Sequence, residues 1–290
     1  MKGSWRVRMF RERLRVARDL RRAERAVAAF PKVREKQMHS LPYELIVSLT
    51  SYPVRFPTLE KTLRSILDQT LASDRTILWI AYDDIDLIPA GVRGLEKHGL
   101  EIRACKDIRS YKKLIPALRD FPNAAIVTAD DDAYYPKDWL AQLVKAHVLN
   151  PRAVTCVRAH LAQIDENGNF SPYSKWQTET SATSDVSDLK LLFPTGVGGV
   201  LYPPKSLHPM VTEEAQFKAL CPTADDVWFF WMARMAGTPH DRIESTVPNI
   251  TWKNSQEVGL VHENLFGNAN DAQIAAMLRQ FSLPLRYKTF

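Results

Sequence analysis

The stretch NAAIVTADDDAYYPKDWL, Asn123 to Leu140, decides the fold. A short apolar, partly β-branched run ends in three consecutive acids, and a helix-forming run follows with Pro136 at or near its first turn. That pattern predicts a buried strand, a polar loop and a helix. Working back toward the N-terminus, the same alternation repeats. YELIVSLTSYP (43–53) predicts a strand entering a loop, and 58–71 a helix with Leu59, Leu63, Ile66, Leu67 and Leu71 on one face and Thr58 as N-cap. RTILWIAYDD (75–84) predicts a second strand, 89–99 a short helix, LEIRACKD (100–107) a third strand and 111–121 another helix. Strand and helix alternating from about residue 44 to 150 imply an α/β sheet with parallel strands. Ligands bind such sheets at the carboxyl ends of the strands. There the loops Ser48–Arg55, Tyr82–Asp86, Asp107–Lys113 and Asp130–Tyr135 converge, all of them polar.

The second half is less regular. Residues 152–165 predict a strand pair, 165–187 a polar loop region, and PTGVGGVLYPP (194–204) a Gly-rich turn into a short strand. Helices are predicted at 223–237 and 270–282.

The chain has 290 residues and a net charge of +6, and the charge is unevenly placed. Residues 1–40 hold thirteen Lys/Arg and four Asp/Glu, a net of +9, whereas the remainder is at −3. Residues 5–29 contain no Gly or Pro and predict a helix, with Val7, Phe10, Leu14, Ala17 and Leu20 as an apolar stripe opposite the arginines and Pro31 as its stop. Such a helix suits an anionic membrane surface, packing on its own body, or a partner. The body lacks basic patches with interleaved aromatics, so nucleic acid is not expected. No apolar run approaches the ~18 residues needed to span a bilayer. The N-terminus lacks the apolar core and cleavage site of a secretory signal. Three cysteines without CxxC spacing argue against a disulfide scaffold or a thiolate zinc site and fit a reducing compartment. The expected organisation is a basic helical arm over 1–40, an α/β half over 41–150 and a less regular half over 151–290.

Asp130, Asp131 and Asp132 are the sharpest chemical feature. In an extended segment alternate side chains share a face, so Asp130 and Asp132 point one way and repel each other unless a divalent cation lies between them. Hard oxygen ligands fit Mg²⁺ or Mn²⁺ completed by substrate phosphates. The alternative is a solvated acidic turn. A second acidic pair, Asp225-Asp226, follows Thr223 at the head of an aromatic helix. It serves either as helix capping or, with a pKa raised by burial, as a general base.

The ordered set LIVSLTSYPVRFPTLEKTLRSILDQTL, DIRSYKKLIPALRDFPNAAIVTADDDAYYPKDWL, TGVGGVLYPP and TADDVWFFWMARMAG resembles the GT-A glycosyltransferases, and within them the family-2-like bacterial enzymes of surface polysaccharide assembly. The resemblance covers residues 44 to about 280. It implies a Rossmann-like, mostly parallel central sheet flanked by helices, preceded here by the basic N-terminal helix. It also implies a nucleotide-diphosphate-sugar donor bound by the half over 41–150, Mn²⁺ or Mg²⁺, and a glycan or lipid-linked saccharide acceptor bound by the half over 151–290. The metal would be held by Asp132 and Asp130, with His262 as a conceivable further ligand. Ser48, Thr50, Ser51, Tyr52 and Arg55 would form the first donor-contacting loop. Asp83 or Asp84 would meet the base or ribose, Lys112 and Lys113 would supply positive charge, and Asp130 and Asp131 would complete the donor site. Asp226, ahead of Asp225, would be the base of an inverting transfer. Gly196, Gly198 and Gly199 offer close approach to a ligand or simply allow a tight turn, and Gly198, Gly199, Trp176 and Trp228 are the acceptor-side candidates, although Trp228 and Trp231, three residues apart, equally fit a place in the core. The expected setting is cytoplasmic, peripheral on the inner face of the cell membrane. The rival readings are a nucleotidyltransferase, whose Gly/Arg/Lys-rich loop after the first strand SLTSYPVRFP does not provide, and a catalytically silent binding subunit of an assembly complex.

Overall fold

The structure is a computed structural model that describes residues 2–165, 167, 169–187, 190–244, 250–253, 255 and 269–281. Helix α1 (Lys2–Ala28) comes first, then β1 (Leu45–Thr50), α2 (Phe56–Leu67), β2 (Arg75–Ala81), α3 (Ala90–Arg93), β3 (Leu100–Cys105), α4 (Ile115–Asp120), β4 (Ala125–Ala129), β5 (Ala133–Tyr134) and α5 (Trp139–Leu149). The second half adds β6 (Val154–Cys156), β7 (Ala159–Gln163), β8 (Lys190–Pro194), β9 (Val200–Tyr202), α6 (Glu214–Leu220), α7 (Asp225–Met235), β10 (His240–Arg242), β11 (Ile250–Thr251) and α8 (Ala269–Gln280).

Seven strands form one sheet in the order β10-β6-β9-β4-β1-β2-β3. Strands β1 to β4 are parallel, as expected, and β9 alone runs antiparallel, between β4 and β6. The mixed α/β, mostly parallel architecture is the Rossmann-like one expected of the GT-A class. Strands β1, β2 and β4 bury both faces, which is why each reads as a near-continuous apolar run, whereas β3 at the sheet edge is only partly covered. Ile46, Ile77, Trp79 and Ile126 face the core shared with α7 and α8, while Val47, Leu49, Leu78, Ile80 and Val127 face α2 and α5. The chain moves from β1 outward to β2 and β3, then returns to place β4 on the other side of β1. Strand order therefore reverses between β1 and β4, and a crevice opens at their carboxyl ends.

Several expectations are corrected. Residues 152–165 are not a hairpin: β6 joins the main sheet, whereas β7 pairs with β8 in a separate two-stranded ribbon. The helix expected over 111–121 begins as a tight 3-10 turn, Arg109–Lys113, and only Ile115–Asp120 is α-helical. Helix α2 starts two residues before Thr58, with Pro57 in its first turn, and the Thr58 hydroxyl donates back to Arg55 O (3.4 Å) instead of capping. The apolar stripe of α1 is also divided. Ala23 and Val27 are buried on Trp252, with Leu20, Tyr134 and Ile250 packed around them, whereas Phe10 and Leu14 are 63% and 54% exposed. Among the described residues no helix is long and apolar enough to cross a membrane.

Candidate active site

The site forms at the β1/β4 reversal. Ser51, just past β1, donates its hydroxyl to Asp131 Oδ2 at 2.6 Å. Behind it, Thr62 of α2 donates to Asp131 O (2.9 Å), Trp252 donates its backbone N–H to Asp132 O (3.0 Å), and the Trp252 indole donates to the Thr62 hydroxyl (2.8 Å). The Asp130 N–H donates to the Tyr135 hydroxyl at 2.7 Å. The backbone of the aspartate turn is thus held by Thr62, Trp252 and Tyr135, and the Asp131 side chain by Ser51.

Two basic residues reach those side chains. Arg55 Nη1 pairs with Asp132 Oδ2. Lys113 Nζ lies 3.8 Å from Asp130 Oδ1 and 3.0 Å from Asp225 Oδ2. Burial by itself would lower the Lys113 pKa, but Asp225 and then Asp130 outweigh it and hold the ammonium charged. Burial pushes Asp130 up to about 6, opposed by Lys113 and reinforced by Asp132 and Asp225. Burial likewise pushes Asp131 up to about 7, although the Ser51 hydrogen bond pulls the other way.

Helix α7 brings the second acidic pair to the same place. Thr223 is not its cap. Gln273 of α8 accepts the N–H groups of both Thr223 and Ala224 at 3.0 Å and donates to the Thr223 hydroxyl at 2.9 Å. With those donors satisfied by another helix, Asp225 turns to Lys113. Asp226 Oδ1 accepts the N–H of its neighbour Val227 at 2.9 Å. Burial, with Asp225 adding to it and Lys113 opposing, raises the Asp226 carboxyl to about 7. The hydroxyls of Tyr111, Tyr173 and Tyr202 lie close enough to feel its charge.

Of the expected donor residues, Ser51, Arg55, Lys113, Asp130, Asp131 and Asp132 are gathered here. Ser48 is not in the cleft: it is fully buried, donating to Lys113 O (2.7 Å) and accepting from the Trp79 indole (3.0 Å), and so anchors the Lys113 turn to β1. Thr50 donates to Trp79 O at 2.8 Å. Tyr52 is half-buried in extended backbone beside Arg55. Asp83 is exposed and Asp84 half-buried in the turn after β2, on the same sheet edge. Lys112 diverges from Lys113: it is buried against Asp107 and supplies no charge to the cleft.

The acceptor-side expectations are corrected. Trp228 is fully buried, with its indole donating to Val211 O at 3.0 Å. Trp176 is 4% exposed among Phe170, Tyr173 and Phe193, with its indole bonded to Ser171 O (2.8 Å). Both are core. Gly198 and Gly199 pack on Val157 and Trp139, and the Trp139 indole donates to Gly198 O at 2.6 Å. Gly196 is the glycine that meets the site: a Cβ there would lie 3.3 Å from Lys113 Nζ. His262 lies outside the described residues.

Trp252, Thr62 and Tyr135 are the supports that sequence reading missed. Tyr135 had a signal, lying three residues past the acids. Trp252 and Thr62 had none, because their tie to the turn exists only after folding.

The donor set suits a hard divalent cation. Asp130 and Asp132 offer carboxylate oxygens, and among the described residues no group of three or more His, Cys, Asp or Glu is gathered to hold an ion by protein ligands alone. A cation here would take the rest of its shell from phosphate and water, as Mg²⁺ commonly does.

No protein-family model and no curated protein matches the chain. Among solved structures it is similar to S. aureus TarS 1–349 in complex with UDP-GlcNAc, at 13% identity and a TM-score of 0.48, covering 82% of this chain and 67% of that one. It is also similar to 4-diphosphocytidyl-2C-methyl-D-erythritol synthase from Anaerococcus prevotii, at 16% identity and a TM-score of 0.43, covering 81% and 98% respectively. Likenesses at these values carry no assignment of activity.

Proposed function

We propose that the chain is a metal-dependent, inverting glycosyltransferase that moves a sugar from a nucleotide-diphosphate donor to a saccharide or lipid-linked saccharide acceptor. One observation carries the reading. A single ammonium, Lys113, reaches both the aspartate turn of the first half and the acidic pair of the second. The aspartate turn and the Asp225-Asp226 pair therefore meet across one ammonium, an arrangement that supports leaving-group and acceptor chemistry side by side. Inverting displacement needs that proximity, with base and leaving-group stabilisation flanking the anomeric carbon.

The residues divide the work. Arg55 and Lys113 offer charge-assisted hydrogen bonds to phosphate oxygens, the guanidinium bidentately. Asp130 and Asp132 would hold a Mn²⁺ or Mg²⁺, which when bound would supply Lewis acidity to the departing diphosphate. Asp226 takes the proton of the acceptor hydroxyl. The hydroxyl oxygen bonds the anomeric carbon while the bond from that carbon to the diphosphate oxygen breaks, and the nucleoside diphosphate leaves with the electron pair. A carboxyl titrating near neutrality suits this proton transfer better than an ordinary one.

The test is release of nucleoside diphosphate from a panel of UDP-, GDP- and TDP-sugars with Mn²⁺, Mg²⁺ or EDTA, run beside pyrophosphate release from nucleoside triphosphates. Metal-dependent turnover of one sugar donor, lost in Asp132→Asn, is expected. Pyrophosphate release would make the chain a nucleotidyltransferase. Metal-independent nucleotide binding without turnover of any donor would make it a binding subunit.

A further inference from the structure

The outer face of α1 carries an exposed basic pattern, in which Arg18 also pairs with its neighbour Asp19 at 3.2 Å. At about 100° per residue, Leu20, Ala23 and Val27 fall on one side, the side packed against Tyr134, Ile250 and Trp252. Arg11, Arg15, Arg18, Arg22 and Arg25 recur at steps of four and three residues along the side turned away from the body, all exposed. Phe10 and Leu14 border that stripe, 63% and 54% exposed. Lys61 lies 3.8 Å from Glu24, and Arg64 donates to Val27 O at 3.4 Å, so the helix is seated on α2 at its C-terminal end. The stripe is therefore presented by a docked element, and the rest of the chain, residues 41–290, carries a net charge of −3.

Five guanidinium groups in a line, edged by an exposed aromatic ring and a leucine, match a surface that is anionic outside and apolar just beneath. Guanidinium groups bind lipid phosphates bidentately, and Phe and Leu enter the boundary between headgroups and acyl chains. Two facing copies would set arginine against arginine, and a nucleic-acid backbone would leave Phe10 and Leu14 in water. We propose that α1 holds the protein peripherally on an anionic phospholipid surface through Arg11, Arg15, Arg18, Arg22, Arg25, Phe10 and Leu14. This inference goes beyond the transferase reading and does not depend on it.

The test is co-sedimentation of the full chain with vesicles of equal parts phosphatidylglycerol and phosphatidylcholine, compared with phosphatidylcholine alone. Binding to the anionic vesicles only is expected, weakening as salt is raised. Each arginine removed should cost about fivefold in partitioning, so Arg11→Ala/Arg18→Ala/Arg22→Ala should lose about a hundredfold. Phe10→Ser/Leu14→Ser should weaken binding at every salt concentration. Circular dichroism and an unchanged melting temperature confirm that the variants fold. No sedimentation with anionic vesicles, equal sedimentation with both kinds, or an unaffected triple variant overturns the proposal. So does tighter binding to duplex DNA or RNA at the same salt, or a dimer in light scattering that Phe10→Ser/Leu14→Ser abolishes.

Discussion

Lys113 and Asp225, which lie 112 positions apart in the chain, form a mostly buried ion pair at 3.0 Å, with side-chain exposures of 13% and 11%. The pair neutralises Asp225. Its neighbour Asp226, whose carboxyl is raised, is the base of the transfer proposed above.

Removing Lys113 should show this division. Lys113→Met leaves a mostly buried carboxylate without its counter-charge, at a cost of about 3 kcal/mol in urea unfolding. Lys113→Met/Asp225→Leu should recover most of that stability without recovering turnover. A double variant as unstable as the single one would mean that the pair is not the partner relation inferred here.

Asp226 should govern the pH profile. As a base it works deprotonated, so turnover at saturating donor should rise with pH and level off above about 7. Asp226→Asn should lower turnover by about 10²–10⁴-fold with little change in donor binding. The stability sign runs the opposite way. A carboxyl raised from 3.8 to about 7 favours the folded state when protonated, and that contribution fades as pH rises through about 7. The melting temperature of Asp226→Asn relative to the parent should therefore increase between about pH 4 and about pH 7. A flat difference would show that the carboxyl is not raised.

Arg55 neutralises Asp132. Arg55→Ala should destabilise the protein when no divalent metal is added, and Mn²⁺ should restore it. The thermal shift produced by Mn²⁺ should then be larger in the variant than in the parent, because the ion meets no competing guanidinium. Equal shifts in the two proteins would argue that Mn²⁺ does not use Asp132.

Gly199→Ala should be harmful through packing alone. Its φ is +107°, and a Cβ would stand 2.7 Å from Trp139 Cζ2. Refolding yield and chemical stability should fall, with about 1–3 kcal/mol lost to overpacking. Activity per folded molecule should hold, since Gly199 touches Trp139 and not the cleft.

Local pattern alone determined the parallel β1–β4 core, the aspartates at its carboxyl edge, the acidic pair at the head of α7 and the helical basic arm. Each is written in contiguous residues: apolar runs long enough to bury both faces of a strand, acids where such a run stops, and helix formers unbroken by Gly or Pro. Tertiary structure decided the rest. It sent Lys112 to Asp107 and Lys113 to Asp225 and Asp130, although the two lysines are adjacent and identical in type. It made Ser48, Trp176 and Trp228 interior, where sequence reading left ligand contact and a structural role both open. A polar or aromatic side chain can satisfy its donors against a protein carbonyl as readily as against a ligand, and the letter does not say which. It also recruited Trp252, Thr62 and Gln273 from distant elements to hold the aspartate turn and the start of α7. Such partners are chosen by where helices land on a sheet. That depends on the whole core at once, so no window of neighbouring residues encodes it.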